Sequence, residues 1–371
     1  MIDACETSPS WIRAIAAYVP GKPAQELARE MGLDEKNIVK LASNENPLGP
    51  GPAALAAMQS AIVDIARYPD GNGFELKAAI CRHHGVDAAR IVLGNGSNDV
   101  LELVGRTFLT PGTSAVYSQH AFAVYPLTVQ AQGATHIQVP AKDHGHDLDA
   151  MAAAVRDDTR IVFVANPNNP TGTFVSGEAL HRFLKRVPAR VIVVLDEAYT
   201  EFLPDADRYD SLQWLASFPN LVVSRTFSKA YGLAGLRVGF ALAHPDVADL
   251  MNRVRQPFNV NSVAQAGAVA ALGDLDYLAR SRALNTEGMQ QIVTGTARLG
   301  LAHLPSRGNF VCVHVGAASE IYGQLLKRGV IVRPVAGYGM PEWLRVSIGL
   351  PAENERFLVA LGEIVQPSAH R

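Results

Sequence analysis

The sequence predicts an α/β fold: a large domain with a mainly parallel sheet between helices, joined to a smaller α+β domain. Three observations carry this. Short β-rich runs alternate with helix-like stretches through the middle of the chain. Several runs are apolar at every position, as in Val191-Ile192-Val193-Val194-Leu195, which suits strands covered on both faces. After Pro257 the pattern changes to long helical segments and then a separate group of β-like runs. With 371 residues the chain also exceeds one ordinary core, since single cores stop growing near roughly 250–300 residues.

Taken in order, residues 1–40 read as an N-terminal segment packing on or near the small domain. The large domain, 41–280, has strand-like runs at Arg90–Leu93, Ser114–Tyr117, Thr135–Val139, Arg160–Ala165, Arg190–Leu195, Leu221–Ser224 and Val238–Ala243. Alanine-rich stretches such as Leu148–Val155 suit the crossover helices. Asn261–Leu272 and Leu278–Leu299 read as helices. The small domain, 281–371, then adds β-like runs at Phe310–Val315, Val330–Val335 and Leu344–Ile348, with a closing helix at Arg356–Val365. Proline and glycine punctuate connectors at Pro20–Pro23 and Asn46–Pro52.

Composition narrows the function. Hydrophobic residues make up 48% and charged residues 18%, enough apolar surface for a large core. The net charge of −2 offers no broad basic field for nucleic acid, so an anionic ligand must be held by local groups. Cys5, Cys81 and Cys312 form no CxxC pair and no disulfide framework. Met1–Ser10 lacks the apolar core of a secretory signal, and no apolar run approaches the roughly 20 residues that span a bilayer. The expected setting is the cytoplasm, with no membrane partner.

Four motifs carry chemistry. In Ser224-Arg225-Thr226-Phe227-Ser228-Lys229, a lysine follows a strand end, where open α/β sheets place ligands. Desolvation there frees its amine for Schiff-base chemistry. Thr226, Ser228 and Arg237 suit a phosphate, the last through a two-point guanidinium contact. In Leu195-Asp196-Glu197-Ala198-Tyr199, an acid ends an apolar strand. Asp196 is either a helix cap or the partner of a pyridinium nitrogen, and in the second case Tyr199 reaches the ring's 3-oxygen. Asn166-Pro167-Asn168-Asn169-Pro170-Thr171-Gly172 is a turn in which Asn169 is placed to donate to that same oxygen. Gly94-Asn95-Gly96-Ser97-Asn98-Asp99 opens a helix, Val100–Phe108, and presents amides to an anion. It fails as a dinucleotide fingerprint, because Asp99 stands where the third glycine belongs and Ser118-Gln119-His120 offers no acid for a ribose.

Together these motifs resemble the fold-type I aminotransferases that use pyridoxal 5'-phosphate, in the right order over nearly the whole chain. Ala42–Gly49, Arg67–Gly71 and Leu344–Gly349 resemble the corresponding segments of histidinol-phosphate aminotransferases. The resemblance implies that Lys229 is the Schiff-base lysine and proton shuttle. Asp196 pairs with the pyridinium, Tyr199 and Asn169 bind the 3-oxygen, and Phe122 stacks on the ring. Ser97, Asn98, Thr226, Ser228 and Arg237 surround the phosphate, with Tyr68 reaching it from the other subunit of a homodimer. Arg345 takes the substrate carboxylate or phosphate, and Arg333, Tyr18 and Asn44 complete the substrate pocket. The implied partners are a small amino donor and a keto acceptor: glutamate with imidazole-acetol phosphate, or phenylpyruvate if the enzyme is an aromatic aminotransferase. A threonine-phosphate lyase using the same lysine and a non-catalytic sensor of the cofactor are more distant readings.

Other residues are read as structural. His144-Gly145-His146-Asp147 is a solvated turn and not a metal site. His83-His84 is an exposed helix end, and Cys312 is core. Asp205 and Asp207 line a wet loop, while Arg253 and Arg255 form a solvated or interface face.

Overall fold

The apolar runs fold as strands with both faces covered. The computed structural model describes residues 3–17 and 21–366. Its strands are β1 (Val39–Lys40), β2 (Ile91–Gly94), β3 (Ser114–Ser118), β4 (Thr135–Val139), β5 (Thr159–Ala165), β6 (Ile192–Asp196), β7 (Leu221–Thr226), β8 (Gly239–Leu242), β9 (Phe310–His314), β10 (Val330–Ile331), β11 (Arg333–Pro334) and β12 (Trp343–Ser347). Seven of them form one sheet in the order β2-β8-β7-β6-β5-β3-β4. β8 is antiparallel to both neighbours and every other pairing is parallel.

Alternation sorts the side chains onto two faces. Phe163, Val194 and Val222 face a core shared with Leu101 and Tyr125. Val164, Val193, Leu195 and Val223 face the opposite core, shared with Leu76, Leu180 and Ala268. This is why these strands show no polar alternation in the sequence.

The C-terminal part builds a three-stranded antiparallel sheet, β11-β12-β9. Val311, Val313, Leu344 and Val346 pack there against Ile292, Phe357 and Leu361. Helix Ala24–Met31 buries Leu27 against Leu326 and Ile331 of this part. The short helix Ser10–Arg13 instead lies on the large sheet's side, where Gln130 Nε2 donates to the Trp11 carbonyl at 2.9 Å.

Some bounds differ from expectation, for local reasons. The run Val330–Val335 splits: β10 pairs in parallel with β1, and β11 pairs antiparallel with β12. Pro334 has no amide to extend a ladder. The closing helix begins at Pro351, five residues early, because the Glu353 carboxylate accepts from the Leu350 amide at 2.7 Å. Helix Leu275–Arg298 starts where Asp274 Oδ1 caps the Tyr277 amide at 3.0 Å, and it runs unbroken through residues 280 and 281.

Candidate active site

β5, β6 and β7 are parallel, so their C-terminal ends lie side by side. A cavity of about 260 Å³ opens at this edge. Ser97, Asn98, Phe122, Asn169, Asp196, Tyr199, Thr226, Ser228, Lys229 and Arg237 line it, and so do Asn44, Arg333 and Arg345. Tyr68 does not: it is 83% exposed and stacks on Phe258 at 4.8 Å between ring centroids. Tyr18 lies outside the described residues.

The Lys229 amine donates to the Ser43 carbonyl at 3.1 Å. Burial first, then the Arg345 guanidinium, lowers its pKa from 10.5 to about 8; Glu45 opposes this, Arg237 adds to it and Asp196 opposes it. The neutral amine, the form that attacks a carbonyl, is therefore far more populated near neutrality than in an ordinary lysine, at roughly a tenth of the molecules.

Asp196 ends β6 and is buried. Its Oδ2 accepts from the Tyr125 hydroxyl at 3.0 Å, while Oδ1 is buried with no hydrogen-bond partner. Burial pushes its carboxyl up to about 6, against the pull of Tyr125 and the Ala198 amide. It caps no helix, since the turn Thr200–Phe202 begins at Tyr199. The sequence reading missed Tyr125. Its spacing from Phe122 hints at a shared helix face, but nothing local announces a carboxylate 71 positions away.

The Tyr199 hydroxyl accepts from Asn44 Nδ2 at 3.0 Å, and burial raises its phenol to about 12. Arg345 is buried; its Nη1 donates to Asn169 Oδ1 at 2.5 Å and its Nη2 to the Ala42 carbonyl at 2.8 Å. That leaves Asn169 Nδ2 as a donor. Arg333 stands directly across the ladder from Arg345. Both guanidiniums line the pocket, a placement suited to an anion.

A separate group of residues forms an anion cradle. Helix Ser97–Phe108 begins without a side-chain cap, so its first amides stay available. Its cap residue Gly96 has φ +84°, and a Cβ there would collide with the Arg237 guanidinium. Arg237 Nη1 donates to Ser228 Oγ at 3.3 Å, and Thr226 Oγ1 accepts from the Ser228 amide at 3.1 Å. Asp99 is occupied elsewhere: its Oδ2 accepts from the Asn95 amide and Asn259 Nδ2, each at 2.8 Å.

A family model described as aminotransferase class I and II matches residues 36–361. The chain belongs to the class I and II aminotransferases. This aminotransferase is 65% identical over 359 residues to the histidinol-phosphate aminotransferase of Methylobacillus flagellatus, with 97% of each chain covered. It is 62% identical to histidinol-phosphate aminotransferase 1 of Thiobacillus denitrificans, covering 98% of this chain and 95% of that one. Among solved structures it resembles the histidinol-phosphate aminotransferase of Sinorhizobium meliloti in complex with pyridoxal-5'-phosphate. That likeness has a TM-score of 0.90 at 32% identity, over 97% of this chain and 98% of that one. The expected fold-type I architecture, a mainly parallel sheet between helices with a smaller α+β part, is the one this aminotransferase adopts.

Several structural readings are corrected. His146 is buried, not solvated, because the Lys142–Gly145 turn tucks its ring beneath β5; its Nε2 bonds the Ala165 carbonyl at 2.8 Å. His84 is half-buried against Phe240. Arg255 is half-buried too, its Nη2 donating to the Gly71 carbonyl at 2.9 Å, whereas Arg253 is exposed. Asp205 is exposed as expected, and Asp207 in the same loop is half-buried and pairs with Arg307 at 2.5 Å. Cys312 is core as expected. Among the described residues no cluster of metal ligands occurs, and no helix is long and apolar enough to cross a membrane.

Proposed function

We propose that this aminotransferase moves an amino group between histidinol phosphate and 2-oxoglutarate, or from glutamate to imidazole-acetol phosphate, in cytoplasmic histidine biosynthesis. Its cofactor is pyridoxal 5'-phosphate. The observation that carries the reading is a part-buried lysine with an amine near pKa 8, in one pocket with a buried carboxylate whose second oxygen has no protein partner. The relatives' names support the substrate.

The residues fit the cofactor. The unpartnered Asp196 Oδ1 suits a ring N–H, and the uncapped helix beside Arg237 suits a phosphate. When bound, pyridoxal phosphate supplies an electron sink for charge developing at the substrate's α-carbon. Asp196 holds the ring nitrogen protonated, and Phe122 covers the ring face. Tyr199, kept protonated by burial, and Asn169 Nδ2 donate to the 3-oxygen. Ser97, Asn98, Thr226, Ser228 and Arg237 hold the phosphate. Lys229 would act as the base at the substrate's α-carbon, its neutral amine taking the α-proton and the resulting ammonium giving it back. Arg345 anchors the substrate anion, with Arg333 and Asn44 around it.

We read 41–280 and 281–371 as a large and a small domain flanking this pocket, with helix Ala24–Met31 attached beside the small one and helix Ser10–Arg13 against the large one. The enzyme works as a homodimer with shared active sites. Ile62, Val63, Ile65, Tyr68, Phe74 and Phe258 leave large apolar surfaces exposed on one chain, which supports a covering partner. The deciding experiment is steady-state turnover with glutamate and either imidazole-acetol phosphate or phenylpyruvate. A higher kcat/KM for phenylpyruvate replaces this reading with the aromatic one.

A further inference from the structure

The chain positions next to the pocket residues form a second structure on the opposite face of the sheet. Ala165, Asp196 and Thr226 line the pocket at the ends of β5, β6 and β7. Their neighbours Asn166, Glu197 and Arg225 point the other way, toward the core that holds Val164, Leu195 and Val223. There Arg225 grips one oxygen of Glu197 twice, with Nε at 3.1 Å and Nη2 at 2.8 Å. The side chains are 12% and 1% exposed, so water screens this pair very little. Nothing in the proposed chemistry uses it.

The rest of the cluster also converges on this pair. The Glu201 carboxyl is buried and interacts with Arg225, and its Oε2 has no hydrogen-bond partner. Arg282 Nε donates to the Glu201 carbonyl at 2.7 Å, reaching in from helix Leu275–Arg298. Tyr209 lies beside Glu197, and its hydroxyl accepts from Asn166 Nδ2 at 3.0 Å. Tyr231, His83 and His84 complete the charged and titratable groups around Arg225. Asn166 Oδ1 in turn accepts from the Val175 amide at 2.9 Å, closing the loop that carries Asn169.

We infer that Glu197 and Arg225 are positioning residues: a buried strut that fixes the distance between Asp196 and Thr226 from the far side of the sheet. The inference rests on the reading that Asp196 meets the cofactor's ring and Thr226 its phosphate. A rigid ligand that bridges two strand ends binds tightly only if those ends are already spaced for it. Beyond the β6–β7 ladder, whose register ends at the Asp196–Ser224 pair, the Glu197 amide donates to the Ser224 carbonyl at 2.9 Å. The side-chain fork adds a further tie, one residue beyond β6 and one before the end of β7.

A buried ion pair replaced by apolar side chains of similar volume is often neutral or stabilising, so scaffold and positioning roles can be separated. The test compares wild type, Glu197→Met/Arg225→Met, Arg225→Lys and Asp196→Asn as apo-proteins. It reads the thermal midpoint, the Kd for pyridoxal phosphate by fluorescence titration, and the pH midpoint of the bound cofactor's absorbance. The double variant, with buried Glu201 left as the neutral acid, is expected to fold cooperatively yet bind cofactor roughly ten-fold or more weakly, with a shifted absorbance midpoint. Arg225→Lys keeps the charge and loses the fork; it should weaken binding while folding normally. A wild-type Kd and midpoint in either folded variant overturn the inference. If Asp196→Asn also binds as wild type, the underlying reading falls with it. If only Asp196→Asn is impaired, the strut alone is wrong.

Discussion

The Tyr125 hydroxyl donates to Asp196 Oδ2 at 3.0 Å, and both side chains are buried. The Tyr125 ring stacks on Phe163 at 4.7 Å and receives the edge of Phe122 at 5.9 Å. One helix thus supplies both the donor that holds Asp196 and part of the support for Phe122. Tyr125→Phe removes a group that pulls the Asp196 pKa down, so this carboxyl should protonate at a pH above its present midpoint of about 6. The acidic limb of kcat/KM is expected to move to higher pH, and stability to fall by about 1–3 kcal/mol. An unmoved limb in the pH–rate profile would show that Asp196 does not govern it.

The Lys229 amine titrates near 8, below its ordinary 10.5, because burial and then Arg345 disfavour its charge. The folded state releases this proton before the unfolded chain does. Its contribution to stability therefore grows as pH rises from about 8 to 10.5, and is at its least below 8. Labelling of the apo-protein with an amine-directed reagent should show Lys229 reacting with a midpoint near 8. Arg345→Met should move that midpoint upward, and the opposite movement would refute the assigned cause.

Asp196→Asn keeps the shape and removes the charge. Turnover is expected to fall by orders of magnitude, with a smaller loss of cofactor affinity. Near-normal turnover would mean that a different group holds the ring nitrogen.

Arg345→Lys should impair both half-reactions, since an ammonium cannot form the planar contacts now made to Asn169 and Ala42 while also gripping an anion. Arg333→Ala should instead change the ratio of kcat/KM between phosphorylated and aromatic substrates. If Arg345→Lys spares the glutamate half-reaction, it is not the shared anchor.

Tyr68 is outside the pocket of its own chain, which suits a role in a partner's site. Lys229→Ala and Tyr68→Asp should each be nearly inactive. In a mixed dimer one site carries both defects and the other carries neither. Co-refolding the two is expected to restore activity, up to roughly a quarter of wild type per site if subunits pair at random. No recovery, with hybrids proven by mass spectrometry, would place Tyr68 in its own subunit's site or outside the site.

What the sequence determined by itself was the sheet and the chemistry at its edge. Apolar runs such as Val191–Leu195 admit few structures other than buried strands, and Lys229, Asp196 and Asn169 follow strand ends closely enough to be read locally. Short-range signals carry such features: period, glycine, proline and the residue just past a strand. Contacts between distant residues are not written that way. Tyr125 meets Asp196 across 71 positions, and Arg225 meets Glu197 across 28. His146 reads as a polar turn residue until the chain folds it under β5. Only the tertiary structure decides these pairings, because a buried polar group takes its partner from whatever the packing brings within hydrogen-bond reach.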